Sequence, residues 1–113
     1  MKHLNRDLIF ECLRELGDRE LQERLWTGKI HGKQSSFEEA VEGLFTDSGL
    51  EGELRKGTTG FSVDLVSKLK ELDGELSKVS AHGIPAKIIA DPAMFHVREL
   101  AATARNLLQD EMK

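Results

Sequence analysis

Residues 61–79, FSVDLVSKLKELDGELSKV, decide the fold class. Leu65, Val66, Leu69, Leu72, Leu76 and Val79 recur at steps of three and four, which puts them on one stripe of an α-helix. Gly74 interrupts the segment at a cost of about 1 kcal/mol relative to alanine, and is read as permitting close packing. Working outward, the same spacing holds on both sides. Leu4, Leu8, Ile9, Cys12, Leu13 and Leu16 form an N-terminal stripe. Asn5 suits its N-cap, with Leu4 and Ile9 as a hydrophobic staple. Gly17 suits a left-handed helix end. Asp18 caps a short second helix that carries Leu21, Leu25 and Trp26 and ends at Gly28.

Residues 27–35, with two glycines and polar side chains, read as a loop. Ser36 and Glu39 form a capping box for a helix with Phe37, Ala40, Val41, Leu44 and Phe45 on one face. Asp47-Ser48-Gly49 breaks it. Ser48 and Glu51 form a second box for a short turn with Leu50 and Leu54, and Gly57-Thr58-Thr59-Gly60 is a further break. After the loop Ser80–Gly83, Pro85 opens a short helix with Ile88 and Ile89. Asp91-Pro92 then opens the last helix, which presents Met94, Val97, Ala101, Ala104 and Leu108 and runs to about residue 110. Leucine occurs 16 times and runs of β-branched residues are missing. The expectation is an all-α, compact single-domain bundle over residues 1–113, with five to seven helices, several of them short.

Composition narrows the function. Sixteen Lys and Arg against 20 Asp and Glu give a net charge of −4, which counts against a nucleic-acid binder. Aromatics are 5% of the chain and tyrosine is absent, which disfavours a base-stacking platform. Arg6, Asp7 and Glu11 deny the start the apolar core of a signal peptide, and no window approaches the ~20 apolar residues of a membrane span. A cytoplasmic location is expected. Cys12 is the single cysteine, so no intramolecular disulfide forms.

Catalytic signatures are weak. His3, His31, His82 and His96 lack helical partners for a metal, so neither metal nor cofactor is expected. His96 reads as a surface residue on an amphipathic helix. Cys12, on an apolar stripe with no base evident, reads as a small buried hydrophobe. Gly57–Gly60 lacks the phosphate-loop spacing, and Glu71 and Asp73 are ordinary charges of a polar helix face.

Charge placement says more. Residues 34–54 hold Glu38, Glu39, Glu42, Asp47, Glu51 and Glu53 and no Lys or Arg, so this stretch carries −6 while the rest of the chain carries +2. Glu38, Glu39 and Glu51 complement helix N-termini. Glu38 and Glu42 are instead a mildly repulsive i, i+4 pair. The run is either a solvated face or a docking surface for a basic protein. On the second reading Glu38, Glu42, Asp47, Glu51 and Glu53 accept from the partner's Lys and Arg, with Trp26 as an apolar contact.

Three blocks carry a resemblance: RELGDRELQERLW (14–26), SSFEEAVEGLFTDSGL (35–50) and IIADPAMFHVRELA (88–101). Together they resemble a family of small, poorly characterised bacterial all-α proteins over most of residues 7–105. Some small acidic proteins of this kind are immunity proteins of contact-dependent growth inhibition or other polymorphic toxin systems. The matching residues are caps and core aromatics, and no catalytic residue is carried over. The resemblance implies a non-enzymatic cytoplasmic inhibitor that occludes a basic toxin domain, a nuclease above all. A competing expectation is a regulatory adaptor, a homodimer that buries the apolar face of 61–79. A small enzyme would have to join His31, His82 or Cys12 to a carboxylate.

Overall fold

Short polar side chains start most of the helices. The computed structural model describes residues 4–27, 35–80 and 84–112. Among them lie α1 (Arg6–Leu16), α2 (Arg19–Trp26), α3 (Phe37–Glu42), a π-helical turn (Gly43–Asp47), α4 (Leu50–Lys56), α5 (Val63–Leu76), α6 (Pro85–Ala90) and α7 (Pro92–Glu111). Asn5, Asp18, Ser36 and Ser62 each accept the N–H three residues on, at 3.0–3.2 Å. Asp91 accepts from Ala93, with Pro92 at the first helical position. Each cap satisfies an amide that has no partner inside its helix.

The architecture is all-α, with no strand among the described residues. Helix α7 is the spine: α5 and α1 pack on it, and α6 folds back against it. Helices α5 and α7 run antiparallel, because Glu111 at the end of α7 accepts from the backbone N–H of Ser62 at the start of α5 (3.0 Å) and from its hydroxyl. Helix α1 also meets α2, α3 and the π-turn, and α4 packs on that turn. One core cluster joins the layers, with Ile9, Leu13, Leu16, Leu44, Leu50, Leu65, Leu69, Leu72, Met94, Val97 and Leu108 fully enclosed. The radius of gyration is 13.6 Å, against about 13 Å for a folded chain of this length.

Several sequence expectations need correction. Gly17 is right-handed (φ −92°), not left-handed. What selects glycine there is proximity, because a Cβ would stand 3.1 Å from the backbone N of Ala102 on α7. Gly74, expected at a close contact, has nothing within 4 Å of a notional Cβ. The close approach is instead at Gly43, whose Cβ would lie 2.8 Å from Cys12 Sγ. The single α-helical face expected over Phe37–Phe45 widens at that glycine, where the Ser48 N–H reaches the Gly43 carbonyl five residues back (3.2 Å). Ser48 does not form a capping box with Glu51. Its hydroxyl donates to the Leu44 carbonyl and accepts from Leu50 N–H, while Gly49, at φ 83°, is the residue that starts α4.

The stripe of α5 is used within the chain. Leu65, Leu69 and Leu72 are fully buried and Leu76 nearly so, so a homodimer would have to form on another surface. Of the expected loop at 27–35, residues 28–34, including Gly28 and His31, lie outside the described residues, as do His3 and residues 81–83 with His82. No helix among the described residues is long and apolar enough to cross a membrane.

Candidate functional site

Helix α1 places Leu8, Glu11, Cys12 and Glu15 along one side through i, i+3, i+4 spacing. Helices α2 and α3 and the π-turn wall off the space beside them. The result is a groove of about 610 Å³. Its carboxylates are Glu11 and Glu15 from α1, Glu39 and Glu42 from α3, and Asp47 from the π-turn. Arg14 and Arg24 are its two cations, leaving the lining at −3. Leu8, Leu21, Leu25, Ala40 and Cys12 supply apolar surface between the charges.

The structure divides the acidic run expected from the sequence. Glu42 and Asp47 are exposed and line the groove. Glu38 is exposed on α3 outside the lining. Glu51 and Glu53 sit on α4, away from the groove. Glu51 faces Arg55 across 4.0 Å, and the half-buried Glu53 accepts from the Thr58 hydroxyl. Among the described residues, no Lys or Arg ion-pairs with Glu38, Glu39, Glu42 or Asp47 within 4.0 Å.

Trp26 is inside rather than on the surface. Its ring is 5% exposed and meets Phe37 edge-on, with centroids 5.9 Å apart. Its indole N–H donates to Glu15 Oε2 at 2.7 Å, and Ser35 Oγ donates to the same oxygen at 2.7 Å. Trp26 therefore positions Glu15 at the groove and offers a partner no apolar face. Sequence reasoning missed Glu11, Glu15, Arg14 and Arg24. The available signal was Glu11 and Glu15 at i, i+4, together along one flank of the Cys12 stripe.

Cys12 sits at the bottom of this acidic field. Burial, and then the charges of Glu15, Asp47 and Glu11, raise its thiol from the ordinary value near 9 to about 11. Carboxylates do adjoin the cysteine, but they hold it protonated and suppress a thiolate. His96 is exposed on α7, beside Glu75 and Glu99. No group of three or more His, Cys, Asp or Glu among the described residues is arranged to hold a metal ion. A larger cleft of about 760 Å³ opens where the start of α1 meets the end of α7, with Arg6 over the Phe61 ring at 5.7 Å. It carries Arg6, Asp7 and Glu111, a net charge of −1 against −3 in the groove.

No protein-family model matches the chain, and comparison with curated proteins and with solved structures gave no match.

Proposed function

We propose that this protein is a non-enzymatic binding module of the cytoplasm, an immunity protein that neutralises a cognate toxin by occluding its working surface. The toxin we have in mind is basic, a nuclease above all. The observation that carries this reading is the convergence of Glu11, Glu15, Glu39, Glu42 and Asp47 on one groove, three of them from a stretch that holds no cation. Holding like charges around a concave, partly apolar wall costs folding energy, and it focuses negative potential outward. A nuclease offers the complementary shape, a basic groove built for phosphate. Carboxylates presented there would compete as phosphate mimics, speed the encounter and exclude partners of the wrong sign.

On this reading Glu42 and Asp47 are the central acceptors, and Glu39 joins them. Glu38, exposed on α3 beside the groove, adds mainly to association rate, while Glu51 and Glu53, on α4 away from the groove, act only through the long-range field. Apolar contact falls to Leu21 and Leu25 of the groove wall, since Trp26 is enclosed. The test is capture of the tagged chain's partner from the native host, followed by expression of that partner alone and together with this chain. The proposal expects a basic protein that arrests growth alone and is harmless in the pair. A partner that is harmless alone, or toxicity that persists in the pair, contradicts it.

A further inference from the structure

The acidic groove leaves unexplained the cleft of about 760 Å³ where the start of α1 meets the end of α7. Its wall includes the half-buried Leu4 and Phe61, with Met112 exposed beside them. A hollow of about 290 Å³ shares Asp7 and Met112 with it and reaches the half-buried Phe10. Val63 belongs to the same end of the molecule. It follows Ser62, whose N–H and hydroxyl both donate to Glu111 of the cleft. Four large apolar side chains are exposed among the described residues, and two of them, Val63 and Met112, stand here. Val63 is 85% exposed at the first position of α5. Apolar side chains scattered singly over a surface need no explanation, whereas their concentration around one concave end marks a contact surface.

The charges at this end select the occupant. Glu111 is engaged by Ser62. Arg6 is exposed over the Phe61 ring, and Asp7 is exposed beside it in sequence. Among the described residues, neither has an ion-pair partner within 4.0 Å. One charge of each sign therefore waits on an apolar rim. A partner of a single sign would satisfy one of them and repel the other. A second copy of this chain satisfies both, because a two-fold contact pairs residue i with j and j with i. The acidic groove, at −3, has no such self-complementarity, and two copies meeting there would repel.

We infer that this chain forms a two-fold homodimer through the end where α1 begins and α7 ends. Val63 of each copy fills the facing cleft, and Arg6 of each copy meets Asp7 of the other. Dimer formation neither needs nor excludes the toxin reading above. Sedimentation velocity of the whole chain at low salt, over roughly 1 μM to 1 mM, tests it. The parent should pass from monomer to dimer across that range. Val63→Asp places an acid where a helix start favours one, so the dilute monomer should melt within about 3 °C of the parent. The same change should weaken dimerisation at least tenfold. Arg6→Asp alone, or Asp7→Arg alone, sets like charges against each other and should weaken it as much. An equimolar mixture of those two variants should recover a dimer, since each supplies the sign the other lacks. Three results overturn the proposal: a parent that stays monomeric throughout, a Val63→Asp dimer as tight as the parent's, or a mixture that associates no better than its separate components.

Discussion

Gln22 and Arg98, 76 residues apart in sequence, meet at 3.1 Å through Gln22 Oε1 and Arg98 Nε. Gln22 is fully enclosed, and its amide nitrogen also donates to the carbonyls of Glu15 (3.0 Å) and Leu16 (2.8 Å). One side chain thus closes the end of α1, anchors α2 and fixes the α7 arginine, which in turn donates to the Ile89 carbonyl. Gln22→Leu leaves Arg98 and two carbonyls short of a partner and should cost about 3 kcal/mol. Urea denaturation checks this at unchanged slope, and a loss below about 0.5 kcal/mol contradicts the linchpin role.

The contact of Gly43 with Cys12 sets a second expectation. A methyl at residue 43 cannot fit 2.8 Å from Sγ, so Gly43→Ala should destabilise by about 1–3 kcal/mol. In a Cys12→Ala background the clash is gone, and the same change should cost at least 1 kcal/mol less. A double-mutant cycle measures this coupling. Additive losses would mean that the two residues do not press on one another.

Alkaline pH probes the same cysteine. Its folded thiol titrates near 11 and the unfolded one near 9. Below about pH 9 both states keep the proton, and the full stability is present. As pH rises from 9 toward 11 the unfolded chain loses its proton first, so stability falls, by roughly 2 kcal/mol from this group. Denaturation of the parent and of Cys12→Ala across pH 8–11 should show a steeper decline for the parent. Parallel declines contradict the shift.

Trp26 is a built-in reporter, being the one tryptophan of the chain. Its enclosure predicts blue-shifted emission, slow acrylamide quenching and little change when a partner docks. Glu15→Ala removes the acceptor of the indole N–H and should speed quenching and loosen the contact with Phe37. Fast quenching in the parent would put the ring at the surface.

Local chemistry made much of this fold legible. The caps Asn5, Asp18 and Ser36, the Asp91-Pro92 start and the leucine stripe of α5 are short-range signals, and each stands where its residues imply. Ser62 was missed as the cap of α5, although it is read by the same rule. Long-range fit was not legible. Gly17 and Gly43 are chosen by what α7 and α1 bring against them, and Gly74 by nothing nearby. Gln22 reads as a polar helix residue until its partners at positions 15, 16 and 98 are known. The acidic site was half legible. Glu42 and Asp47 stood out by charge, but Glu11 and Glu15 join them only because α1 packs along α3. Trp26 misled because its distance from the surface is a tertiary property.

Charge reversal most directly tests whether the acidic groove is a docking surface. Glu42→Lys with Asp47→Lys should slow association with the basic partner at least tenfold at low salt. The difference should shrink as salt rises, and the melting temperature should stay within about 3 °C of the parent. Stopped-flow association against ionic strength, beside thermal denaturation of both proteins, decides it. An unchanged association rate, or a loss of folding stability that accounts for the loss of binding, would contradict the claim.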